Sequence, residues 1–182
     1  MSTQTVAAEE PGPGDLWVRS SVSAEGTYVA TVEAGPDVAF ALDPDAAVRY
    51  ARHAMSAVAR AEYDAAVLAQ LLGTGLDLAD VWEVVRGLRS DRPPLSTEWP
   101  VTFEPIVSAR TNEPVITMLV NGKPDCQLGT GALTGHAVDV LEISHGVDLD
   151  AAYRRHLVAI IGLDDATARA TVAGLGDHIK RS

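Results

Sequence analysis

The chain has 182 residues, 47% of them hydrophobic and 21% charged, a composition that supports a packed core and argues against a wholly disordered chain. The net charge of −11 divides between residues 1–96 (7 basic, 14 acidic) and residues 97–182 (7 basic, 11 acidic), so neither half has the surplus of Lys and Arg with which a general nucleic-acid binder displaces counterions. No apolar run nears the roughly 20 residues that cross a bilayer; the longest, "LVAIIGL" at 157–163, is broken by glycine and followed by two aspartates.

Residues 1–14 read as a flexible tail rich in Pro, Gly, Ser and Glu, without the basic and apolar regions of a secretory signal, and the cytoplasm is the expected location. Three strand-like segments follow, "LWVRSSV", "TYVATVEA" and "VAFAL", with "AEG" and "AGP" as turns. Asp43-Pro44 then marks a helix start, the aspartate as cap and the proline at the first helical position. Ala47, Ala51, Ala54, Met55 and Val58 form its apolar stripe. A break is expected near Ala61, with a second helix from about Asp64 and a third after "GLD" at 75–77. The stretch "RSDRPPLSTEWP" is polar, proline-rich and without periodicity, and reads as a linker over residues 89–100.

The second half repeats this order. "TFEPIVSA", "PVITMLV" and "DCQLG" read as strands, the last two joined by a hairpin at Asn121-Gly122, where both positions accept positive φ. Pro105, Pro114 and Pro124 cannot donate to a ladder and belong at strand ends or an outer edge. A helical stripe of Leu133, Ala137, Val140, Leu141 and Ser144 follows, then a break expected at His145-Gly146, a helix from about Asp150 and another after "GLD" at 162–164.

The two "GLD" phrases head a near-repetition. "GLDLADVWEVVRGL" at 75–88 and "GLDDATARATVAGL" at 162–175 agree at seven of 14 positions, against one or two expected at about 10% chance identity. The expected fold is therefore α+β: a tandem duplication of a small antiparallel β-meander followed by two or three helices, packed as a pseudo-symmetric pair. The repeats span residues 15–88 and 101–178, with a short tail at 179–182. In each phrase the glycine (Gly75, Gly162) ends one helix in a left-handed turn, the leucine packs beneath the corner, and the aspartate (Asp77, Asp164) caps the next helix. The phrase resembles a helix-hairpin-helix turn, which implies contact with phosphate, but an aspartate stands where that module has its second glycine.

Few residues suggest chemistry. His136, His145 and His156 are nine and eleven apart rather than the three or four that put two ligands on one helix face, so no metal is expected. No Gly-x-Ser-x-Gly elbow occurs, "GTGALTGH" at 129–136 lacks the Lys-Ser/Thr end of a phosphate loop, and no cofactor or catalytic residue is assigned. His53 and His136 are read as solvated or hydrogen-bonded, and the lone thiol of Cys126 as core filler. The basic group Arg154-Arg155-His156 and Trp82, placed at the seam between the repeats, are the candidate partner contacts, while Trp17 and Trp99 anchor flanking segments. The expected function is a non-enzymatic protein-interaction module, an adaptor, assembly or regulatory factor of a phage-related or accessory kind, with self-association into a homodimer also compatible. Its rivals are a small-ligand binder or enzyme with a site between the repeats, built on His136, Asp139 and Arg154, and a nucleic-acid-binding or nucleic-acid-mimicking protein.

Overall fold

The computed structural model describes residues 12, 14–23 and 25–179, so both terminal tails lie outside the described residues except for Gly12, Gly14 and Ile179. Strands β1 (Leu16–Val22), β2 (Tyr28–Ala34) and β3 (Val38–Leu42) form one antiparallel sheet in that order, followed by helices α1 (Pro44–Gly73) and α2 (Leu78–Ser90). Strands β4 (Val101–Val107), β5 (Pro114–Val120) and β6 (Lys123–Gly129) form a second, followed by α3 (Thr130–His156), a π-helical turn (Leu157–Ile161) and α4 (Asp165–Ile179). The protein is α+β, with two meanders each leading into helices. No helix among the described residues is long and apolar enough to cross a membrane.

Turn chemistry sets the register. Asn121 and Gly122 have φ of 50° and 75°, the doubly positive pair of a two-residue hairpin, and Val120 faces Lys123 across it. The prolines sit where a missing N–H is tolerated: Pro105 lies on the edge strand β4, Pro114 opens β5, and Pro124 lies on the edge strand β6 beside an irregularity opposite Met118/Leu119. In β2, alternation puts Ala30, Val32 and Ala34 on one buried face, level with Leu42, Phe40 and Val38 of β3. Phe103, Met118 and Cys126 stand level in the same way in the second sheet.

The helices begin as their residues dictate and run further than expected. Asp43 Oδ1 accepts from the Ala46 N–H at 2.7 Å, with Pro44 in the first turn. Neither expected break exists: α1 runs through Ala61 and α3 through His145-Gly146. Ala61 is fully buried on the helix's inner face, and Gly146, which costs about 1 kcal/mol relative to Ala inside a helix, is flanked by the buried Ser144 and Val147. Met55 and Leu141, counted in the apolar stripes, are exposed, because each lies one position round from the buried row (Ala54, Val58; Val140, Ser144).

The two long helices lie side by side, and each covers the sheet of the other half: α1 packs on β4 and β5, α3 on β1 and β2. One continuous core results, joining Val32, Ala34 and Leu42 to Ala47, Ala51 and Ala54, and these to Phe103, Ile116, Met118, Leu133 and Val140. The 91–100 segment packs on this core through Leu95 and Trp99 rather than standing clear of it. Beyond it, each long helix carries its successor as a hairpin. Val81 and Val85 of α2 pack on Leu68, and in α4 Ala168 and Val172, 87 positions later, are buried as well.

Candidate functional site

At the α1–α2 corner Gly75 has φ 85° and the Asp77 carboxylate accepts from the Ala79 N–H at 2.9 Å. At the α3–α4 corner Gly162 has φ 79° and Asp164 accepts from the Thr167 N–H at 3.0 Å and its hydroxyl at 2.6 Å. The Thr167 bonds hold the Asp164 carboxyl below its ordinary pKa. Leu76, expected beneath the first corner, is instead exposed, because the buried row of α2 starts at Val81.

The basic group divides. Arg154 Nε donates to Asp165 Oδ1 at 2.7 Å, and its Nη1 donates to the Gly26 carbonyl at 3.3 Å. Arg169 donates to the other oxygen of Asp165 through Nε and Nη2 at 2.9 and 2.6 Å. Hydrogen bonds from Arg154, then from Arg169, lower the pKa of Asp165. Arg154 thus fastens α4 and the β1–β2 turn to α3, while Arg155 and His156 are exposed. Between Leu149 and Ile161, five large apolar side chains face water: Leu149 (61% exposed), Tyr153 (56%), Val158, Ile160 (70%) and Ile161 (59%). The π-helical turn holds no buried residue. One residue more per turn than an α-helix carries its side chains off the row that α3 buries.

Trp82 does not lie at the seam. Its ring packs against Leu68, Val81 and Val85 inside the α1–α2 hairpin. Tyr50, fully buried, does stand where the halves meet: its ring lies 5.6 Å from Phe40, 5.3 Å from Trp99, 5.9 Å from Phe103 and 5.8 Å from His136 between centroids. Trp99 is anchored there as expected, whereas Trp17 is 39% exposed on the edge strand β1. His53 packs against Trp99 and Phe103.

Both histidines are buried, and the Nε2 atoms of both lack a hydrogen-bond partner among the described residues. Desolvation lowers the pKa of His136 from 6.5 to about 4, and lowers that of His53 in the same direction with a further push from Arg60. His136 and Asp139 line one cleft of about 340 Å³ between α3 and β1, with Trp17 and Glu142, but Arg154 does not reach it. No group of three or more His, Cys, Asp or Glu fit to hold a metal ion occurs among the described residues. The Cys126 thiol is half-buried 3.5 Å from the Gly14 carbonyl, and burial, then Asp125 and Asp15, raise its pKa, so it stays a thiol at neutral pH.

One cluster escaped sequence reasoning. Asp64, expected to open a helix, is 1% exposed within α1 and faces two arginines: Arg89 Nε donates to Oδ2 at 2.7 Å, and Arg92 Nη2 lies 2.7 Å from Oδ1. A separation of 25 residues and more leaves no local pattern to announce it. The apolar corner, by contrast, was visible as the string "LVAII", though not its exposure. No protein-family profile, curated protein or solved structure matches the chain.

Proposed function

We propose that the protein is a non-enzymatic protein-interaction module, an adaptor, assembly or regulatory factor that docks its partner on the α3–α4 corner. The observation that carries this reading is the group of exposed apolar side chains at Leu149, Tyr153, Val158, Ile160 and Ile161, gathered within 13 positions of chain. Single apolar residues on a surface are ordinary, but a concentration of them marks a contact. Covering them releases water at roughly 25 cal/mol per Å² of apolar area. Arg155 and His156 supply the polar rim beside this patch. Arg154 and Trp82 serve the reading indirectly, by holding their helix hairpins together.

The test is affinity capture from a lysate of the source organism, with wild type beside an Ile160→Asp/Ile161→Asp double variant. Wild type should retain a stoichiometric companion that the variant loses, while circular dichroism and thermal midpoint stay unchanged. Retention by the variant, or no companion on wild type, would overturn the reading. A second reading, a small-ligand site between the halves, rests on the cleft that His136 and Asp139 share with Trp17. It predicts saturable quenching of Trp17 fluorescence by a ligand, abolished by Asp139→Asn.

A further inference from the structure

A cleft of about 440 Å³ lies between the middle of α1, the end of α2, the 91–100 segment and strand β4. Its walls are of two kinds: Leu95, Phe103 and Leu119 supply apolar surface, and Arg60, Arg89 and Arg92 supply three guanidinium groups. The carboxylates facing them are Asp64 in the depth of the cleft and the exposed Glu104 on β4, so the lining carries three positive charges against two negative. In a chain of net charge −11 this is a local reversal of sign.

The ion pairs leave the arginines with capacity. Each guanidinium has five N–H donors. Arg89 and Arg92 meet the two oxygens of Asp64, which neutralises one of them, and Arg89 Nη2 is buried without a partner among the described residues. Arg60 donates through Nη1 to the Pro93 carbonyl at 2.8 Å, an uncharged acceptor. The Tyr63 ring holds Arg92 from behind, its centroid 5.1 Å from Cζ. Two guanidinium groups are thus positioned over apolar walls with one unit of charge in excess.

We infer that this cleft binds a carboxylate carried on an apolar body, with Arg60 and Arg92 taking the oxygens and Leu95, Phe103 and Leu119 the body. A planar carboxylate matches the guanidinium fork, and a single negative charge balances the excess. A phosphate dianion would overcompensate it and gain nothing from the apolar walls. The carboxylate can come from a free small acid or from an acidic side chain of a peptide. The cleft is separate from the α3–α4 corner, so its failure would leave the docking reading standing.

The test follows the arginine Nε–Hε signals of the full chain by NMR during titration with sodium hexanoate, with acetyl-leucyl-glutamyl amide, and with neutral hexanamide. At least one of the acids should move the Arg60 and Arg92 signals saturably, with a dissociation constant on the order of 1 mM, and hexanamide should not. The acid that binds more tightly names the source. Arg60→Gln, which leaves the Asp64 pairs in place, should weaken binding about tenfold, and Glu104→Gln should strengthen it about twofold. The inference fails if neither acid saturates the signals, if hexanamide does as well, or if Arg60→Gln leaves the affinity unchanged.

Discussion

Burial against the Tyr50 ring keeps His136 neutral, and that has a measurable cost in acid. Its pKa lies near 4 in the folded protein and near 6.5 in an open chain, so between these values the unfolded state takes up a proton that the folded state refuses. The stability tied to this group is complete above pH 6.5 and is lost as the pH falls toward 4, by about 3 kcal/mol in all. Urea unfolding at pH 7 and pH 4.5 should show the drop, and His136→Leu should flatten it. Asp164 and Asp165 act in a lower window, since their depressed pKa values contribute stability above the ordinary carboxylate value that is lost as the pH falls through the folded one. Asp64→Asn should cost about 3 kcal/mol at neutral pH, because it leaves Arg89 and Arg92 facing a neutral group; the urea midpoint measures it. The sequence was ambiguous at Asp64 for a physical reason. An aspartate that caps a helix and one that receives distant arginines look alike until the chain is folded.

Among the elements, the two glycine corners give the cleanest test. Gly75 and Gly162 have positive φ, and a Cβ at either would meet nothing within 4 Å. The cost of Gly75→Ala or Gly162→Ala is therefore conformational alone, about 1 kcal/mol each, read as a lower thermal midpoint with an unchanged fold. Strands and hairpins were legible because they are set locally: Asn121-Gly122 needs only its own backbone to turn, and alternation along β2 shows its buried face. The helix breaks were misplaced because Gly146 reads as a stop in isolation, while packing of Ser144 and Val147 carries α3 past it. Exposure of the π-helical turn was hidden for the opposite reason, since five apolar residues in a row look like core whichever way they face.

For the molecule as a whole, the exchange of helices between sheets makes each half depend on the other. A fragment of residues 1–92 keeps the β1–β3 sheet but loses α3, and a fragment of residues 93–182 keeps the β4–β6 sheet but loses α1. Neither should fold alone, and both should do so when mixed, which size-exclusion chromatography and circular dichroism of the separate and combined pieces would check. Periodicity identified the apolar face of α1 and of α3. It could not say which sheet each face covers, because that choice is made by long-range packing around Tyr50. The same exchange bears on synthesis. The first sheet is complete at Leu42, yet α3 ends only at His156, about 110 residues later, or roughly 6–20 s at the usual pace of translation. Throughout that interval the face of β1 and β2 on which α3 packs stands open beside the ribosome, so the nascent chain, more than the finished protein, is what a chaperone would have reason to meet.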